Sequence, residues 1–112
     1  MTELEKSIMP RTTATIPPPH PGETLYEDYL LPLDLSANRL AMELRIPATR
    51  IGDIVHGRRG ITADTAVRLA RYFGTSAAFW MNLQSLYDIR VVEIEKAASI
   101  EHDIRPREMA QA

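Results

Sequence analysis

The stretch Leu35-Ser36-Ala37-Asn38-Arg39-Leu40-Ala41-Met42-Glu43-Leu44-Arg45-Ile46-Pro47-Ala48-Thr49-Arg50-Ile51-Gly52-Asp53-Ile54-Val55-His56-Gly57 decides the fold. Ser36 is a good N-cap, and Leu35 with Leu40 fits a hydrophobic staple across it. Ala37, Leu40, Ala41 and Leu44 fall at i, i+3, i+4 and i+7, one face of a helix. Arg45-Ile46-Pro47 interrupts it, because proline is tolerated in the first turn of a new helix but not inside one. A further helix over about 48–56 then buries Ala48, Ile51, Gly52 and Val55, with Ile54 beside them. Gly57 suits the left-handed position that ends it. Two helices of about eight residues joined by three have the size and spacing of a helix-turn-helix. Ala41 is small where the helices cross. Gly52 gives up about 1 kcal/mol of helix propensity relative to alanine, which implies a close backbone approach there too.

The flanks read as helices as well. Pro17-Pro18-Pro19-His20-Pro21 is a stiff lead-in to a first helix at about 22–31, with Leu25, Tyr26, Tyr29 and Leu30 on one side. Pro32 ends that helix. After Gly60, Thr62 caps a fourth helix in which Ala66, Leu69, Ala70 and Phe73 repeat the helical period until Gly74 stops it. Thr75 or Ser76 caps a longer fifth helix reaching Ala98. With no strand signal, the fold class is all-α: a compact five-helix domain of the helix-turn-helix type in residues 17–98. Residues 1–16 and 99–112 read as a mobile tail and a frayed end.

Charge is distributed unevenly. Residues 1–35 carry a balance of −4, residues 36–72 of +4 and residues 73–112 of −2, giving the net −2. A basic middle between acidic flanks is the footprint of a nucleic-acid binder, provided it is more than a solvated face. The chain has no cysteine, which excludes disulfides, thiol nucleophiles and thiolate metal sites. No apolar run approaches the roughly 18 residues of a membrane span, and the polar N-terminus is unlike a signal peptide, so a cytoplasmic protein is expected. His20, His56 and His102 lie on different elements without metal-site spacing, and no glycine-rich phosphate loop is present. Neither an enzyme nor a cofactor is expected.

Burying one side of the third helix leaves Thr49, Arg50, Asp53 and His56 as a polar strip fit for a major groove. Arg50 suits bidentate donation to guanine or a bond to phosphate, and Thr49 a base edge or a thymine methyl. Asp53 would accept from cytosine N4 or orient Arg50. Arg58, Arg59 and Arg39 are better placed for phosphates, which position without reading sequence.

The run from Leu35 to Ala41 and on through Arg58-Arg59-Gly60-Ile61-Thr62-Ala63-Asp64-Thr65-Ala66 resembles the phage-repressor-like (Xre) family. Pro18-Pro19-His20-Pro21-Gly22-Glu23, Ile54-Val55-His56-Gly57, Arg68-Leu69-Ala70-Arg71-Tyr72-Phe73-Gly74-Thr75 and Phe79-Trp80-Met81-Asn82-Leu83-Gln84 narrow the resemblance to its HigA/VapI antitoxins. That resemblance covers roughly residues 17–92 and implies DNA contacts at Ser36, Asn38, Arg39, Ala48, Thr49, Arg50, Asp53, His56, Arg58 and Arg59. It implies a second partner, a HigB-type toxin that cleaves mRNA on the ribosome. One departure stands out: Arg45 occupies the turn position usually held by glycine, where a left-handed conformation costs about 1–2 kcal/mol and the turn is expected to be altered slightly.

The fifth helix has more apolar surface than the domain needs. Trp80, Leu83, Tyr87, Val91, Ile94 and Ala98 form a seam at steps of three and four. Its distal part, Tyr87, Val91, Ile94 and Ala98, is expected to make a homodimer that spaces two recognition helices for a palindromic operator. The acidic first helix, with Glu23, Glu27 and Asp28, is the expected toxin surface, against the alternative of a solvated face. A free-standing repressor without a toxin, or an interaction module that no longer reads DNA, remain the other readings.

Overall fold

A computed structural model describes residues 18–108, in two units: Pro18–Asp88, and the described part of a second unit from Ile89 onward. The expected tail over 1–16 and the last four residues lie outside the described residues.

Helix α1 opens as an α-helical turn, Pro21–Thr24, and continues as a π-helical segment, Leu25–Leu30. Its N-cap is His20, whose Nδ1 accepts from the Gly22 N–H at 2.9 Å. Wide winding follows, with the Leu31 N–H donating to the Tyr26 carbonyl five residues back at 2.8 Å. The winding has a packing reason. Leu25 and Leu30 are both buried, although α-helical winding would set residues five apart about 140° from each other. Tyr26, expected beside them, is exposed, while Tyr29 is half-buried. After Pro32 the chain turns through Asp34 at φ 51°, a conformation that aspartate tolerates better than most residues.

Helices α2 (Ala37–Leu44) and α3 (Ala48–Val55) follow, as their period predicts. The Ser36 hydroxyl accepts from the Arg39 N–H at 3.0 Å. Pro47 stands at the N-cap of α3 rather than in its first turn. Helix α4 (Ala63–Phe73) begins at Thr62, whose hydroxyl accepts from the Thr65 N–H, and ends at Gly74 in the left-handed conformation. Ser76 caps α5 (Ala77–Asp103), accepting from the Phe79 N–H at 3.0 Å. Thr75 instead takes the indole N–H of fully buried Trp80 at 2.8 Å. Five helices and no strand appear among the described residues, and α5 runs past the expected Ala98, so 99–103 is helical.

Leu25, Leu40, Ile51, Ile54, Leu69 and Trp80 form the centre of the first unit's core, and Tyr29, Phe73 and Phe79 pack against it. The rings of Tyr29 and Phe79 lie 5.0 and 4.9 Å from that of Trp80. Two expectations about α3 fail. Ala48 is exposed rather than buried, and a Cβ on Gly52 would meet nothing within 4 Å. The close approach is at Gly22, where an added Cβ would collide with the Ile54 carbonyl, its carbon only 2.7 Å away.

Candidate nucleic-acid interface

Helix α3 presents the polar strip, and its neighbours fix its position. At its start, Arg45 adopts the left-handed conformation (φ 61°, ψ 44°). The N–H groups of Ile46 and Arg45 donate to the carbonyls of Ala41 and Met42 at 3.0 and 3.2 Å, the paired bonds of a Schellman cap. The turn is therefore formed as a glycine would form it, without the expected alteration. Arg68 of α4 adds a cap, donating from Nη1 to the Leu44 carbonyl at 2.8 Å. At the far end of α3, Gly57 takes φ 75°, and the Arg58 N–H returns to the Asp53 carbonyl at 2.7 Å.

Ile51 and Ile54 face the core with no exposed surface, which turns Thr49, Arg50, Asp53 and His56 outward. Thr49 and His56 are exposed, and Arg50 and Asp53 half-exposed. His56 Nδ1 lies 2.8 Å from the Gly52 carbonyl, so it carries the proton and leaves Nε2 as the acceptor in the neutral ring. Asp53 does not orient Arg50. Its carboxylate instead pairs with Arg58 at 3.0 Å and Arg59 at 3.9 Å. Arg50 reaches Asp64 in the first turn of α4, at 3.9 Å, and Arg39 pairs with Glu43 at 3.0 Å. Ser36, Asn38 and Ala48 are exposed at or beside the first turns of α2 and α3, where unpaired N–H groups favour anions. The arrangement offers base-edge donors in the strip and cationic side chains at its ends.

Sequence reading missed Asp64 and Arg68, although their spacing of four is that of a helical ion pair, formed here at 2.9 Å. It also missed His20, which lies beneath this end of α3. Its ring packs edge-on against Tyr87 at 4.8 Å and 3.8 Å from where a Gly57 Cβ would stand. Burial holds the His20 pKa below 6.5, against the opposing pull of Asp88 and Glu23. Farther along α5, Val91 and Ile94 are half-buried and Ala98 exposed, while Ile89, Val92 and Ile100 are larger apolar side chains that are exposed. No cluster of three metal-ligating side chains occurs among the described residues, nor is any helix among them long and apolar enough to cross a membrane.

A helix-turn-helix family model matches residues 27–80. Virulence-associated protein I of Dichelobacter nodosus is 52% identical over 81 residues, which are 72% of this chain and 75% of that protein. The Pseudomonas aeruginosa antitoxin HigA, solved with the higBA promoter, has a TM-score of 0.79 and 47% identity over 81% of this chain and 99% of its own. The chain belongs to the HigA/VapI-type helix-turn-helix family. Antitoxin GraA, solved in complex with its operator, shares the HigA-type fold at a TM-score of 0.80 with 32% identity, over 85% of this chain and 96% of its own.

Proposed function

We propose that the chain is a cytoplasmic antitoxin that binds the palindromic operator of its own operon as a homodimer, represses it, and neutralises a HigB-type toxin. The observation that carries the DNA half is the outward strip Thr49, Arg50, Asp53 and His56 on a helix anchored at both ends, in a family with operator-bound members. In this reading α3 enters the major groove, with Arg50 and Thr49 on base edges. Ser36, Asn38, Arg39, Ala48, Arg58 and Arg59 lie along the phosphates. Asp53 releases Arg58 and Arg59 to those phosphates and accepts from cytosine. The exposed apolar and half-buried residues of distal α5, with Tyr87, Val91, Ile94 and Ala98 among them, supply the dimer contact in this reading.

Helix α1 supports the toxin half. Glu23, Glu27 and Asp28 are exposed on it beside exposed Tyr26, and the sequence has no lysine or arginine from residue 12 to 38. Such a face suits a basic protein.

A mobility-shift titration against the DNA upstream of the chain's own gene tests the first half. Binding should weaken steeply with salt, and Arg50→Ala should lower operator affinity several-fold without unfolding the chain. Unchanged affinity would remove Arg50 from the interface. Pull-down of the tagged chain from its host tests the second half. A small basic protein recovered near stoichiometry supports the antitoxin reading, whereas DNA alone would leave a free-standing repressor.

A further inference from the structure

The arginine on the recognition helix is not left to itself. Asp64 Oδ2 lies 3.9 Å from Arg50 Nη1 and 2.9 Å from Arg68 Nε, and Arg68 Nη1 donates to the Leu44 carbonyl at 2.8 Å. Four groups thus link the end of α2, the first turn of α4 and the exposed side of α3. Arg68 is half-buried and held at two points, so it fixes where the Asp64 carboxylate sits. From there the carboxylate faces Arg50, whose guanidinium would otherwise sweep the long arc open to an arginine side chain.

We infer that Asp64 is a specificity-determining positioning residue: through its bridge to Arg68 it orients Arg50 toward a base edge and away from the phosphates on either side. The inference rests on the DNA-binding reading above and adds a residue that makes no DNA contact of its own. Its physical content is a competition. A guanidinium paired with a fixed carboxylate gains less by moving to a phosphate, so indiscriminate binding is weakened. The same pairing leaves guanidinium N–H groups free to meet a guanine in bidentate fashion. Removing the carboxylate should therefore act oppositely on right and wrong DNA.

The test is fluorescence anisotropy of the full chain on its operator duplex and on a scrambled duplex of equal length, at one salt concentration. Asp64→Asn should tighten binding to the scrambled duplex and weaken binding to the operator, lowering their ratio by about tenfold. Asp64→Glu should recover part of that loss. In an Arg50→Ala background Asp64→Asn should leave the ratio where it was, since the effect passes through Arg50. An unchanged ratio in Asp64→Asn would overturn the inference. So would equal tightening on both duplexes, which is what charge removal alone produces, or an undiminished effect without Arg50. A wild-type chain that does not distinguish the two duplexes would overturn the DNA reading itself, and this inference with it.

Discussion

A Cβ on Gly22 would strike the carbonyl of Ile54, so the first turn of α1 can lie against α3 only because residue 22 has no side chain. Gly22→Ala must push two backbones apart. The expected loss is about 3 kcal/mol, read by urea denaturation, because neither neighbour is a flexible side-chain tip. At Arg45 a glycine would help instead of a side chain harming. The left-handed φ of 61° strains arginine, and glycine would relieve it while gaining freedom in the unfolded chain. Arg45→Gly should stabilise by about 0.5–1 kcal/mol in the same measurement.

His20 supplies a third prediction at this scale. Its Nδ1 must be unprotonated to accept from the Gly22 N–H, and burial lowers its pKa from 6.5. The unfolded chain therefore takes up the proton first as pH falls. This contribution to stability is complete above pH 6.5 and is lost as pH drops from there through the lowered folded value. Denaturation midpoints across that window should show the decline, and His20→Asn, which keeps an acceptor at the cap, should flatten it.

Among the elements, α2 and α4 were legible because each carries a side-chain cap and a clean helical period, and α3, which has no side-chain cap, because Pro47 opens it and Gly57 ends it. Ser36, Thr62, Gly57 and Gly74 do locally what their chemistry allows, and the fold agrees with them. The π-helical segment of α1 was not legible. Nothing in Leu25-Tyr26-Glu27-Asp28-Tyr29-Leu30 announces it, since the winding answers to two leucines that must reach one core. Ion pairing within a helix leaves a spacing signal, as with Asp64 and Arg68, although the sequence reading passed over it, whereas pairing outside one helix leaves none, as where Asp53 takes Arg58 and Arg59. The same limit hid Gln84 of α5. Its Oε1 accepts the buried Ile61 N–H at 2.7 Å, and its Nε2 donates to Asp88 at 2.9 Å. Gln84 thereby ties the segment that follows α3 to α5. Gln84→Leu would leave the Ile61 N–H buried and unpaired, at a loss of about 1–3 kcal/mol that a thermal melt would register as several degrees.

At the scale of the whole molecule, valency sets how tightly DNA is held. One recognition helix offers a few base contacts, and a palindrome rewards two held about one helical turn apart, because the second half-site then binds at high effective concentration. In the proposed homodimer the seam of Tyr87, Val91, Ile94 and Ala98 would put the contact on distal α5, and the same stretch exposes 53% of Ile89 and 42% of Val92. A side chain this exposed in the single chain can be made charged without disturbing that chain's own packing. Ile89→Glu therefore separates assembly from folding: helicity and melting of the monomer should persist while sedimentation equilibrium reports half the mass. Operator affinity should then fall to that of an isolated half-site, a loss of about a hundredfold or more. If Ile89→Glu remains a dimer and Ile94→Glu does not, the contact runs along the half-buried seam. If both variants sediment as the wild type does, distal α5 is not the dimer surface.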